Sequence, residues 1–171
     1  MYRFVSARLL ILVGVLITLE YSFSGLFPLL KGRVDLLYLL VLDYAFSWSW
    51  ERVPFFAFAI GLLRDFTGGH LFGIETASLT ATGLLLNLGA QKLDRAFYGI
   101  RLGMAFLFVL LTETVSLGLG GVLDTSKGFT WDLMGSAFWT TIYSTAVAPG
   151  FFWLTNRWFN RVSHLKQYEL F

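Results

Sequence analysis

Ten consecutive residues, Leu102-Gly103-Met104-Ala105-Phe106-Leu107-Phe108-Val109-Leu110-Leu111, carry no charged side chain and none that forms hydrogen bonds. Leu36–Leu42 is apolar in the same way, on every side of the chain. A strand of a closed membrane barrel alternates apolar and polar residues over about 10 positions. An unbroken run fits a helix buried all round or immersed in lipid. The chain therefore reads as all-α.

Working outward, the same texture recurs between charged punctuation. Apolar runs cover Leu9–Leu30, Val34–Trp50, Pro54–Phe66, Ile74–Ala90, Phe97–Leu123 and Trp131–Thr155. A helix that crosses the hydrocarbon core needs roughly 20 residues, and the linkers left over are short. The expected architecture is one integral-membrane domain over residues 1–171, a polytopic bundle of six transmembrane helices. Composition agrees. Of the 171 residues, 56% are apolar and 14% charged, with mean hydropathy +0.67, against roughly 45–50% and about 25% in soluble domains. Six Trp, seven Tyr and 18 Phe exclude disorder. A net charge of +2 gives no footing for nucleic acid, and a chain without Cys has no disulfide, thiolate metal site or thiol nucleophile.

Orientation follows from basic residues. With six crossings and the N-terminus inside, nine of the 13 Lys and Arg residues fall on the cytoplasmic side, leaving Lys31, Arg33, Arg64 and Lys127 outside. Both termini are expected in the cytoplasm of a multi-pass inner-membrane protein. Arg3 and Arg8 before Leu9–Leu19 look like a secretory leader, but the apolar run continues to Leu30, so it is read as a first span. Trp48, Trp50, Trp131, Trp153 and Trp158 lie near span ends, as interfacial anchors do.

Gly61-Leu-Leu-Arg-Asp-Phe-Thr-Gly-Gly-His-Leu-Phe-Gly73 interrupts this pattern. Pro54–Phe66 rises only about 20 Å as a helix. Thr67-Gly68-Gly69 then permits a tight change of direction, and the fourth helix begins near Gly73 or Ile74. A shortened helix beside a new helix N-terminus suggests a polar recess opening outward, because non-helical backbone inside a membrane needs burial or water. Gly61, Arg64, Asp65, Gly68, Gly69, Gly73 and Glu75 line this expected pocket or partner recess. Asp65 is placed to accept bonds from freed N–H groups, Arg64 to lower its charge cost, and Glu75 to sit on a helix N-terminus. A tight turn with a snorkelling Arg–Asp pair reads the same residues without a pocket.

Three further acids, Glu20, Asp43 and Glu113, fall within the apolar runs and cost roughly 2.5–3.5 kcal/mol each near a bilayer centre. They are expected to face the interior and bond hydroxyls at helical spacing, Ser24, Ser47 and Ser116 respectively. In the last run, Ser136, Thr140, Ser144 and Ala148 recur at every fourth position. This stripe permits close helix packing within the bundle or against a partner.

The Gly61–Gly73 stretch resembles the signature of the rod shape-determining protein MreD family, Gly-Leu-Leu-x-Asp-Leu followed by two glycines. Gly61, Leu62, Leu63, Asp65, Phe66, Gly69 and Gly73 match it. Val34-Asp35-Leu36-Leu37 is similar to that family's Pro-Asp-Leu opening of the second span, with Val34 in place of Pro, and Leu71 replaces a second Pro. The resemblance implies a non-catalytic scaffold of the bacterial cell-elongation machinery for peptidoglycan synthesis. Its implied partner is the single-span protein MreC, with MreB filaments and peptidoglycan synthases reached indirectly. It also implies a fold similar to the substrate-binding components of energy-coupling-factor transporters. A vitamin-like solute binder is the alternative. Against it, the first span offers only Gly14 and Thr18 where those components use Ala-x-x-x-Ala. No enzyme, metal or cofactor is expected: His70 and His164 stand apart, and no Gly-x-Gly-Asp occurs.

Overall fold

A computed structural model describes residues 9, 11–20, 22, 32–47, 52–68, 71–90, 98–123 and 131–158. Six helices and no strand occur among them. They are α1 (Ile11–Glu20), α2 (Leu36–Ser47), α3 (Val53–Gly68), α4 (Ile74–Ala90), α5 (Tyr98–Leu123) and α6 (Trp131–Trp158). The helical segments follow the apolar runs closely. In α5, Gly99–Leu123 is long and apolar enough to cross a membrane, whereas α1, α2 and much of α4 are shorter apolar helices.

The sequence of α2 has no polar face, so it is stable as a helix only where every side is covered. It occupies the middle of the bundle, against α3, α4, α5 and α6. Tyr38, Leu39, Val41 and Leu42 are fully enclosed, and α1 adds Leu12, Val13 and Leu16 to the same core. Tyr38 meets Phe108 of α5 edge-on, and Tyr44 stacks on Phe56 of α3.

The surrounding helices each bury one face at helical spacing. In α3 it is Val53, Ala57, Ile60, Gly61, Arg64 and Asp65, in α5 Ala105, Phe108, Val109, Thr112 and Glu113, and in α6 Ala137, Thr140, Thr141, Ser144, Ala148, Phe151 and Phe152. Pro149 is accommodated within α6. The opposite faces are apolar rather than charged, and Phe55, Phe66, Leu85, Leu107, Trp131 and Trp153 are all exposed. α3 and α4 pack on small residues. A Cβ on Gly61 would lie 2.6 Å from Thr76 Cα, and one on Gly83 would lie 3.2 Å from Ala57 Cβ.

Candidate functional site

The turn between α3 and α4 is locked by a side chain from within α3. Asp65 accepts the Glu75 backbone N–H on Oδ1 and the Thr76 N–H on Oδ2, both at 3.1 Å, and the Thr76 hydroxyl also donates to Oδ2. The first N–H groups of a helix have no partner in their own helix, and here an acid nine residues before the helix supplies it. Gly61 makes this possible by letting the α4 backbone approach.

Two residues assigned to the change of direction, Thr67 and Gly68, belong to α3, and the fourth helix starts at Ile74 as expected. The Thr67 hydroxyl is bonded back to the Leu63 carbonyl. The described residue that leaves right-handed backbone is Gly73, at φ +99°, and its carbonyl starts α4 by accepting the Ala77 N–H. Gly69 lies outside the described residues.

A second helix end meets the same region. Residues 32–35 are extended and run into the bundle ahead of α2. A Cβ on Gly32 would lie 2.6 Å from Thr140 N and 2.8 Å from Trp139 atoms, so only glycine fits against the α6 backbone. Buried non-helical backbone must still bond its polar groups. Thr140 Oγ1 accepts the Arg33 N–H at 3.1 Å, and Ser144 Oγ accepts the Asp35 N–H at 2.9 Å. Thr140, Ser144 and Ala148 are buried, so this part of the stripe faces inward and two of its hydroxyls are spent on that loop. Ser136 is half-buried and bonds back to the Leu133 carbonyl.

Between these helix ends lies a charge network drawn from α1, α2, α3, α4, α5 and the loop before α2. Arg64 reaches Glu20 Oε1 at 3.2 Å through Nη1, Asp35 Oδ1 at 2.6 Å through Nη2, and Glu75 Oε2 at 3.6 Å through Nε. Its guanidinium also lies over the Tyr38 ring, 4.3 Å from the centroid. Arg33 reaches Asp35 Oδ1 at 3.2 Å, Glu113 Oε1 at 3.4 Å and Glu75 Oε1 at 3.8 Å. Glu75 is held further by the Tyr38 hydroxyl at 2.5 Å and the Ser116 hydroxyl at 3.2 Å. Arg33 is the accessible edge of this network, its side chain 38% exposed, whereas Asp35 is fully buried. The Asp35 carboxylate beside it pushes the Arg33 guanidinium above its usual value, so it stays cationic.

Arg64 is thus directed across the bundle to Glu20, Asp35 and Glu75 and not to its neighbour Asp65, because successive helical residues point about 100° apart. Glu20 bonds Arg64, and Glu113 bonds Arg33 and not the hydroxyl expected from spacing. Ser116 serves Glu75 instead, and Ser24 lies outside the described residues. Asp43 is buried in α2, eight residues beyond Asp35 and about 12 Å along the helix, away from the network. Asp35 and Tyr38 were not among the residues expected to form a site, nor was Arg33. The available signal was an Arg-x-Asp pair directly before a helix too apolar to be exposed.

Chemically, the network ties six chain segments together by charge and hydrogen bonding. Among the described residues no three His, Cys, Asp or Glu side chains converge to hold a metal ion. Comparison of the chain with known protein families, characterised proteins and solved structures finds no match.

Proposed function

We propose that this chain is a six-span protein of the bacterial inner membrane, both termini cytoplasmic, acting as a non-catalytic scaffold of the cell-elongation machinery and binding the single-span protein MreC. The observation that carries the reading is the inverted distribution of polarity. Charged and hydroxyl groups are turned inward onto one another, while α3, α4, α5 and α6 present large apolar side chains outward. A water-soluble monomer rarely exposes so much apolar surface. A chain built this way acts through what its helices touch.

The sequence resemblance supplies the identity of the partner. The helix surface supports a lateral mode of binding. α5 and α6 leave an apolar groove of about 400 Å³ lined by Leu110, Thr114, Leu117, Gly118, Met134, Ala137 and Phe138. A Cβ on Gly118 would meet nothing within 4 Å, and helices in lipid associate on such small residues.

Co-purification from mild detergent tests the proposal. Recovery of the chain with the co-expressed single-span partner, in a complex that survives size exclusion, is expected. Recovery alone, carrying a tightly held vitamin-like molecule, overturns the scaffold reading in favour of a solute binder. Labelling of a cysteine introduced at Lys166 by a membrane-impermeant reagent from outside the cell would overturn the topology.

A further inference from the structure

The charge network pegs the heights of the helices against one another, and beyond it they are unequal. Arg64 and Glu75 set it near the end of α3 and at the start of α4, and Asp35 sets it directly ahead of α2. In the other two helices the contacts fall well inside, at Glu113 of α5 and Thr140 of α6. From there α5 runs on to Leu123 and α6 runs back to Trp131, a further rise of roughly 14 Å each. These tips carry exposed apolar side chains, Val122, Leu123 and Trp131. The 26 and 28 residues of α5 and α6 span about 39 and 42 Å, close to a bilayer with its headgroups, at ~40–45 Å. The 16 and 17 residues of α3 and α4 span only about 24 and 26 Å, less than the ~30 Å hydrocarbon core alone. The difference lies at the network end.

We propose that the outer leaflet of the bilayer is depressed on the α3–α4 side, so that lipid headgroups and water meet the network there, while α5 and α6 stand at full height against an ordinary leaflet. The inference rests on the membrane reading above and adds the shape of the lipid surface that the bundle accepts. A helix too short for its bilayer gains nothing by tilting, which shortens its reach further. It thins the lipid around it or is covered by a neighbour. Two features favour lipid. Arg33 is exposed at the edge of the network, and a flat leaflet level with the tips of α5 and α6 would bury that cation roughly 14 Å beneath the headgroups, where a charge is costly. Headgroup phosphates and water are what solvate it. The α3–α4 turn also ends in exposed rings, Phe66 and Phe72 packed edge-on. Apolar surface directly below a charged edge is the order of groups met at a lipid–water boundary.

The chain has no cysteine, so a nitroxide on a single introduced cysteine reports depth in the full-length protein. Collisions with oxygen mark hydrocarbon, and collisions with a water-soluble nickel chelate mark the headgroup level. In dioleoylphosphatidylcholine vesicles the decisive pair is Phe66→Cys on α3 and Phe138→Cys on α6. Both positions are exposed, and each lies two residues beyond a network residue of its own helix, Arg64 and Thr140, on the side of the α5–α6 tips. The expected result is a nickel-accessible label at Phe66 and an oxygen-dominated one at Phe138. Equal depth at the two, both shallow or both deep, means a flat leaflet and overturns the proposal. A Phe66 label shielded from both reagents means that protein covers this side, and overturns it as well. Phe58→Cys and Leu107→Cys, exposed positions nearer the middle of α3 and α5, test the membrane reading separately. Nickel access at both would show that the chain is not inserted, refuting that reading and this proposal with it.

Discussion

Replacing Arg64 by Met removes the charge while keeping most of the apolar stem, so the result isolates what the guanidinium holds together. Arg64 contacts Glu20, Asp35 and Glu75 and lies almost wholly buried, its side chain 7% exposed. Breaking a buried ion pair by removing one partner costs about 3–5 kcal/mol, because the other charge is left without compensation. Asp35 retains Arg33, and Glu75 retains Tyr38 and Ser116, which places the loss near the lower end. About 3 kcal/mol corresponds to roughly a hundredfold in the folding equilibrium. Arg33→Met removes the same charge from a side chain that is 38% exposed, where solvent screens the interaction, and should cost about 1 kcal/mol. Denaturant unfolding in detergent micelles, followed by helical circular dichroism, compares the two. If the cost is electrostatic, adding Glu20→Gln and Asp35→Asn to Arg64→Met recovers half of it or more. Equal losses for the two arginines, or a triple variant no more stable than Arg64→Met, would refute the reasoning.

The same unfolding assay checks three further expectations. Asp65→Ala strips the N–H groups of Glu75 and Thr76 of their acceptor and should cost about 1–3 kcal/mol, with hydrogen exchange accelerating first at those two amides, while Asp65→Asn keeps an acceptor and loses less. Gly61→Ala places a methyl 2.6 Å from Thr76 Cα and should cost about 1–3 kcal/mol by forcing α3 from α4, whereas Gly118→Ala, which points into open space, should fall within about 0.5 kcal/mol of wild type. Ser144→Ala leaves the buried Asp35 N–H unbonded and should cost about 1–3 kcal/mol; an unchanged midpoint would mean that another group caps it.

Helix existence was legible because apolar runs end where charge or glycine begins. The span read as Ile74–Ala90 coincides with α4, and the one read as Phe97–Leu123 starts a residue before α5. The partners of the acids were not legible. Hydroxyls at i+3 or i+4 were the natural local choice for Glu20 and Glu113, but both acids point across the bundle to arginines 44 and 80 residues away in sequence. Spacing along one helix carries no information about such contacts. The stripe in α6 shows the same limit. Its period marks Thr140 and Ser144 as sharing a face, yet only the fold shows that the face receives an extended loop. Thr67 and Gly68 were read as turn because a glycine pair permits left-handed backbone, and the structure puts both in α3. The side-chain lock by Asp65 and the helical back-bond of Thr67 favour a longer α3.

The excess of acids at one end of the bundle has a structural origin in the two helices that start there. α2 and α4 both begin at the network, and each N-terminus is equivalent to roughly half a positive charge. Asp65 sits on the α4 terminus and Asp35 immediately ahead of α2. Counting Asp65, five carboxylates face two guanidiniums among the described residues, an excess of about three. The two helix ends offset about one of these. What is left is borne at the edge of the network, where Arg33 is exposed and where Glu113 is less enclosed than Asp35. A bundle that needed only cohesion would be better served by apolar packing, since replacing buried ion pairs with hydrophobic residues is often neutral or stabilising. The acids are therefore the part of this molecule whose presence stability alone does not explain.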